Sequence, residues 1–508
     1  MKRLLISAAI AALPGMAMAD AKADEIARLK SQMQKLQQQM AELQKAVEAA
    51  TASTSTAGQK DAAAAGGEDA NTELKERVAN MELKVDKLNT ASTDGPLAGL
   101  SVTGYLDPTY IYNRNNNSSG FQFLNHQNVY AYSNSTFGDV YLDIKKTFGV
   151  GPTAPSAEIS IMPNRGSGNT LLDGGSGNNI INTAVINFPL SDTWTFNAGL
   201  MNSFGGYEVQ QSNQMVTLTH GLLYDFSDPG SYVGAGFNWS HDVWAWKFLL
   251  ANEQYRTHAN LANTGTNSAN GNPQVKSNNT PTFTARVDYT WSSALDLGWS
   301  FNAGRQTLLT SAAQSATSPV PVTNGCLGGN VGFGYQCVSA DPYSNYFFTE
   351  ADASYTLGDI QYNAELDYGQ QQKAAWNGGS AQWYGVSLLG HRKWMTESLG
   401  KMGATLRYDY LNNSKNGGGG GGVALGAGGY DGVNAFGVDP ACVARGATDC
   451  KGANRMALTA DLLFFPTDQF TLKFEYRHDW ASQAVFQRND GSMKKGNDML
   501  GAQAVYTF

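Results

Sequence analysis

The chain has 508 residues, a formal charge of -8 and 15% charged residues, an acidic balance that argues against nucleic acid as a partner because phosphate recognition needs clustered Lys and Arg. Beyond the N-terminus no stretch offers eighteen apolar residues in a row, which argues against a membrane-crossing helix. The 56 Gly, 23 Tyr, 22 Phe and 10 Trp suit instead a wall that alternates lipid-facing with water-facing side chains.

In chain order, Lys2 and Arg3, the apolar run 4–13 and Ala17-Met18-Ala19 predict a cleaved secretory signal over residues 1–19. Pro14 and Gly15 end the apolar run before it is long enough to cross a bilayer, and no Cys near the cut marks a lipoprotein. Residues 20–50 carry a 3-4 spacing of Ile26, Leu29, Met33, Leu36, Met40, Leu43 and Val47, which predicts an α-helical coiled coil. Residues 51–70 lose the period and read as a flexible linker. Leu74, Val78, Met81, Val85 and Leu88 restore it over a second coiled-coil segment, 71–90, and 91–100 is a further linker. The alternative is a single amphipathic helix lying on a barrel or membrane surface. The absence of a broad apolar face favours self-association. Val78 and Val85 lean towards a dimer, whereas the Met-rich first segment barely discriminates.

From Ser101 to Phe508 the period changes to two. On 473–480, Lys473, Glu475, Arg477 and Asp479 point one way and Phe474, Tyr476, His478 and Trp480 the other. The same design recurs around Arg286 and Asp288, Glu365 and Asp367, and Arg407 and Asp409. Short turns at 190–192, 240–242, 292–295, 358–359 and 466–468 alternate with long connections such as 256–281, 307–345 and 413–454, the pattern of an outer-membrane β-barrel. About sixteen antiparallel strands fit an even-numbered barrel: 101–112, 137–147, 156–163, 179–189, 193–202, 231–240, 243–254, 282–292, 296–306, 346–357, 359–370, 382–394, 402–412, 455–466, 469–480 and 498–508. The fold class is thus an all-β transmembrane barrel behind an N-terminal helical stalk.

If the aromatic sides face lipid, Arg286, Asp288, Glu365, Asp367, Arg407, Asp409, Lys473, Glu475, Arg477 and Asp479 line the pore. The bland alternative is a solvated wall of mutually neutralising charges. The connection 203–230 is the candidate constriction loop, with Glu208, Gln210, Gln211 and Asn213 as its pore-side residues. Tyr105, Tyr110, Tyr112 and Trp383 could form a stacking track for sugars, although girdle and lipid contacts are commoner roles for barrel aromatics. Cys326 with Cys337 and Cys442 with Cys450 are two local pairs, read as disulfides because neither has a further His or Cys at zinc spacing. The Gly-rich 417–422 has no following Lys-Ser/Thr and reads as loop filler. No cofactor or metal site is expected. The six His sit in no hydrolase or zinc motif, so the chain is not expected to be an enzyme.

The final strand, ending Ala502-Gln503-Ala504-Val505-Tyr506-Thr507-Phe508, resembles the signal read by the outer-membrane assembly machinery. Residues 104–113 (GYLDPTYIYN) resemble the opening strand of the OmpL-like β-barrel porins, 204–209 (FGGYEV) a segment following a glycine-ended strand in that family, and 473–480 its penultimate strand. The stalk is more similar to the N-terminal coiled coils of some trimeric sugar- or anion-selective porins. The resemblance implies a pore-forming barrel without a settled substrate and favours a homo-trimer; the reading that follows is a passive diffusion porin for small polar solutes in outer-membrane lipid of a Gram-negative bacterium. The stalk, the short turns and the C-terminus agree on the periplasmic side. Two other readings stand beside it: a tether in which the stalk engages peptidoglycan, and a surface protein binding through its long loops.

Overall fold

The computed structural model describes residues 98–124, 137–163, 180–252, 280–307, 326–331, 334–337 and 343–508, apart from 424, 427 and 448. The chain separates into two compact units, Met1–Asn89 and Thr90–Phe508, and every described residue belongs to the second. The expected signal, both coiled-coil segments and their linker lie outside the described residues.

The alternating pattern builds one antiparallel sheet of 18 segments that closes on itself. Two staves are made of two segments each, so the barrel has sixteen. They are β1 (Leu100–Leu106 and Thr109–Asn113), β2 (Ser118–Gln122 and Val140–Thr147), β3 (Ser156–Ile161), β4 (Ile181–Pro189), β5 (Trp194–Met201), β6 (Tyr232–His241), β7 (Trp244–Ala251) and β8 (Thr282–Thr290). The circle continues through β9 (Leu295–Thr307), β10 (Tyr343–Leu357), β11 (Ile360–Gln371), β12 (Ala381–Thr396), β13 (Gly400–Asn412), β14 (Arg455–Thr467), β15 (Phe470–Ala481) and β16 (Gly496–Thr507). Closure is by β1 against β16, with Tyr105 opposite Thr507 and Thr109 opposite Gln503.

The number and order agree with the sequence expectation, and the largest difference lies in the first two staves. Pro108 has no N–H to give a ladder and interrupts β1, where Asp107 N–H donates instead to Asp139 O at 3.1 Å. β2 is interrupted by the insertion 123–139, which closes through Leu124 N–H to Gly138 O at 2.8 Å. Its first half, SSGFQ, has one large apolar side chain and gave no alternation to read.

The two faces differ as the period of two requires. Along β15, Lys473, Glu475, Arg477 and Asp479 are buried, while Phe474 and Tyr476 are exposed on the outside. The outer face elsewhere carries Leu366 at 60% exposure and Tyr362 and Leu406 at 56%. One rim has short turns at 190–193, 242–243, 291–294, 358–359, 397–399 and 468–469. At 358–359 the chain reverses through Gly358 at φ +58, the left-handed conformation that a two-residue hairpin needs. The long connections lie on the other rim. One of them contains α2 (Pro440–Ala444), which the Cys442–Cys450 disulfide closes. Cys326 and Cys337 stand opposite each other in a two-stranded ribbon, and the disulfide expected of them lies outside the described side chains.

Candidate functional site

The connection between β5 and β6, residues 202–231, leaves the rim and folds into the barrel. Apart from α1 (Leu222–Phe226) it has no regular structure, so its buried N–H and C=O groups need partners from elsewhere. The inward charges of the wall supply them. Glu475 accepts from Leu218 N–H at 2.8 Å, Thr219 N–H at 2.9 Å and the Thr219 hydroxyl at 2.6 Å. Lys473 donates to the carbonyls of Ser212 (2.7 Å) and Thr217 (2.9 Å). Arg477 donates to His220 O at 2.6 Å, and Arg407 to Thr219 O at 2.8 Å. Glu365 accepts from Tyr207 N–H at 3.1 Å, and Asp107 from the Ser212 hydroxyl at 2.6 Å.

Arg407 also pairs with Glu208 at 2.6 Å and Asp409 at 3.1 Å, its side chain wholly buried. Glu208 accepts from Gly221 N–H at 2.7 Å, so one carboxylate ties the segment to the wall and to itself. Burial pushes the Glu208 carboxyl above its ordinary range, against the opposing pull of Arg407. His220 is buried with Nε2 on Val209 O at 3.0 Å. Burial pushes its pKa down to about 3, and Arg407, Lys473 and Arg477 add to that. The ring is therefore neutral, with Nε2 carrying the hydrogen.

Apolar side chains fill the space above these anchors. Leu218, Leu222, Leu223 and Phe226 from the segment pack with Ile111, Phe348, Trp383, Leu411 and Met499, all on the inward face of the wall. Leu223 sits where a Cβ on Gly385 of β12 would be, and Leu218 stands 2.7 Å from the Cβ position of Gly501 of β16. The glycines are sockets. Residues 417–422 are not filler: Gly422 N–H donates to Phe226 O at 3.1 Å, and the strap runs over Phe226 and Trp383 at distances that a side chain would close.

All ten residues expected to line the pore are on the inward face. Glu365, Asp367, Arg407, Asp409, Lys473, Glu475, Arg477 and Asp479 are buried; Glu365, Arg407, Lys473, Glu475 and Arg477 bond to 202–231, and Asp479 is in ion pairs with Arg477 (2.9 Å) and Arg455 (3.1 Å). Arg286 and Asp288 keep side-chain exposures of 10% and 31%. Of the four loop residues, Glu208 is on Arg407, and Gln210 accepts from Asn182 at 2.8 Å. Gln211 is half-buried, while Asn213 is exposed. Of the aromatic track, Tyr105 and Trp383 point inward and are buried, whereas Tyr110 packs outside on Phe121.

Partly exposed charges on the inward face lie on the opposite side, on β2, β3, β7 and β8. There Lys145 and Glu158 are 46% and 32% exposed, and Lys247 and Asp288 37% and 31%. A recess of about 210 Å³ opens between β4 and β7, with Asn187, Asn197, Asn238 and Lys247 among its lining and Phe204 of the segment as its cover. Sequence reasoning missed Lys145, Glu158 and Lys247. The signal was present, since Lys247 alternates with Trp246 and Phe248, but it is a single charge without a second one two residues away. Glu350, Asp352 and Asp461, also inward, were missed as well.

The fold and this site together define a sixteen-stranded antiparallel barrel whose lumen is partly filled by an infolded connection. The chain belongs to the family described as protein of unknown function DUF3138, whose model matches residues 1–508. No curated protein matches it. Similar solved structures include an anion-selective porin from Comamonas acidovorans, at 9% identity over 80% of this chain and 99% of that one, TM-score 0.45. OmpT of Vibrio cholerae in a trimer form is 10% identical over 80% and 99%, TM-score 0.44. OprB of Pseudomonas putida is 8% identical over 81% and 94%, TM-score 0.44. The barrel assignment rests on the strand register alone, and the OmpL-like resemblance on its three short segments.

Proposed function

We propose that the protein is an outer-membrane porin with an eccentric aqueous passage along β2 to β8, bounded on the other side by the infolded segment. The observation that carries this is the contrast between the inward charges that stay wet on β2 to β8 and those that are buried under 202–231. The outer face supports the membrane location. Leu366, Leu388, Leu406, Phe474 and Leu500 are all about half exposed or more, and a continuous belt of such side chains is what water-soluble monomers avoid and a lipid-facing wall carries. Hydrocarbon is the solvent that fits.

Mixed charges on the passage, Lys145 and Lys247 against Glu158 and Asp288, favour small polar solutes over either class of ion. The homo-trimer and the periplasmic stalk remain part of this reading. The apolar filling beneath 417–422 favours a second one, a closed barrel serving as a tether to peptidoglycan or as a loop-mediated binder. Planar-bilayer recording on the purified chain separates them. Discrete conductance steps support the porin, and an intact barrel that never conducts supports the second reading.

A further inference from the structure

Asp228, near the end of the infolded segment, meets two side chains of β11, Glu365 and Asp367. The last two are separated by one residue and so share the inward face. Ligand oxygens of the three carboxylates lie within 4.8 Å of one another. Acidic clusters are common on surfaces, but this one is inside: Glu365 is 2% and Asp367 5% exposed. Both oxygens of Asp228, both of Asp367 and Oε1 of Glu365 are shut off from solvent without a hydrogen-bond donor. Glu365 Oε2 has a donor, Tyr207 N–H. Among the described residues no Lys, Arg or His pairs with any of the three. The neighbouring cation, Arg286, is committed to Asp288 (2.6 Å), Glu350 (2.7 Å) and Asp352 (2.7 Å).

The backbone is shaped to this cluster. Gly206 is at φ +70, and a Cβ there would stand 2.7 Å from Asp228 Oδ2 and 2.8 Å from Glu365 Oε2. A buried carboxylate without a counter-charge is strongly destabilising, and three converge here. We propose that Asp228, Glu365 and Asp367 hold a Ca²⁺ ion that ties the infolded segment to β11.

The donor set selects the ion. All-oxygen, carboxylate-only ligation suits a hard cation and gives nothing to zinc's preference for His and Cys. Three protein carboxylates in one enclosed site suit Ca²⁺, which takes many oxygens in flexible geometry, over Mg²⁺, which dehydrates reluctantly and is usually held through only one or two carboxylates. Water would complete the shell. The site is independent of whether the barrel conducts.

The test is calorimetric titration of Ca²⁺ alone into the full chain, refolded in detergent without lipopolysaccharide and stripped with EGTA. Wild type is expected to bind one Ca²⁺ at this site, Asp228→Asn and Asp367→Asn to bind it at least tenfold more weakly, and Asp490→Asn, at an exposed carboxylate of another connection, to match wild type. Heat-modifiable migration checks that each variant is folded, and Glu365→Gln replaces any that is not. Displacement of bound Tb³⁺ by Ca²⁺ in wild type gives a readout that needs no variant. If wild type takes up no Ca²⁺, the carboxyls merely share protons and the proposal is overturned. Equal binding by wild type, Asp228→Asn and Asp367→Asn overturns it too.

Discussion

Arg407 ties the infolded segment to the wall, because its guanidinium serves four partners on two elements. It pairs with Glu208 and Asp409 and donates to Thr217 Oγ1 at 3.0 Å and to Thr219 O. Removing one partner of a buried pair costs about 3–5 kcal/mol, since the other charge is left uncompensated. Arg407→Met should therefore release 202–231 without unfolding the sheet. Proteolysis within that segment and a larger single-channel conductance are the expected readouts, and a variant unchanged in both would show that the segment is held by other means. His220 adds a pH dependence of known sign. Its folded pKa of about 3 lies below the ordinary 6.5, so the released state binds the proton more readily. Docking that is fully stable above pH 6.5 is lost progressively as pH falls towards 3. His220→Gln should flatten that part of the acid response measured by proteolysis, and an unaltered profile would assign it to other groups.

The infolded segment as an element depends on sockets as much as on charges. Gly385 and Gly501 have no side chain, and Leu223 and Leu218 take the space. Overpacking a filled site typically costs about 1–3 kcal/mol, and Gly385→Leu places a branched side chain where Leu223 now sits. Expected is a segment as protease-sensitive as that of Arg407→Met in a barrel of unchanged β content by circular dichroism. Retained protection would mean that Leu223 is not a docking contact. This dependence explains what the sequence could and could not disclose. Fifteen or sixteen staves were legible because a strand carries its own period: Lys473 to Trp480 alternates with no outside help. Loop order singled out 203–230, the connection that folds into the barrel. What fills the inner face was not, because Gly385 looks like any strand glycine until Leu223 is beside it. Arg407 likewise has the same parity whether it meets water or a loop carbonyl. Trp383, Phe348 and Leu411 face inward against the expected polarity for the same reason: their neighbour is another part of the chain and not solvent.

On the porin reading, the whole barrel divides its side chains between two solvents and one packed interior, and that division predicts opposite outcomes for charge added on different faces. Leu366 is outward and 60% exposed; an Arg there would put a cation against hydrocarbon, at a cost of about 2–4 kcal/mol near the bilayer midplane. Lys247 is inward, 37% exposed, and 3.5 Å from Asp288. Reversing it to Glu removes a half-solvated pair whose contribution is at most about 1 kcal/mol, but moves the passage by two charges towards cation preference. Denaturant unfolding in vesicles should therefore register Leu366→Arg and barely register Lys247→Glu, while the reversal potential under a salt gradient should move for Lys247→Glu alone. A barrel in which both changes destabilise equally would have no aqueous side at β7, and a reversal potential indifferent to Lys247 would place the conducting path, if there is one, away from β2 to β8.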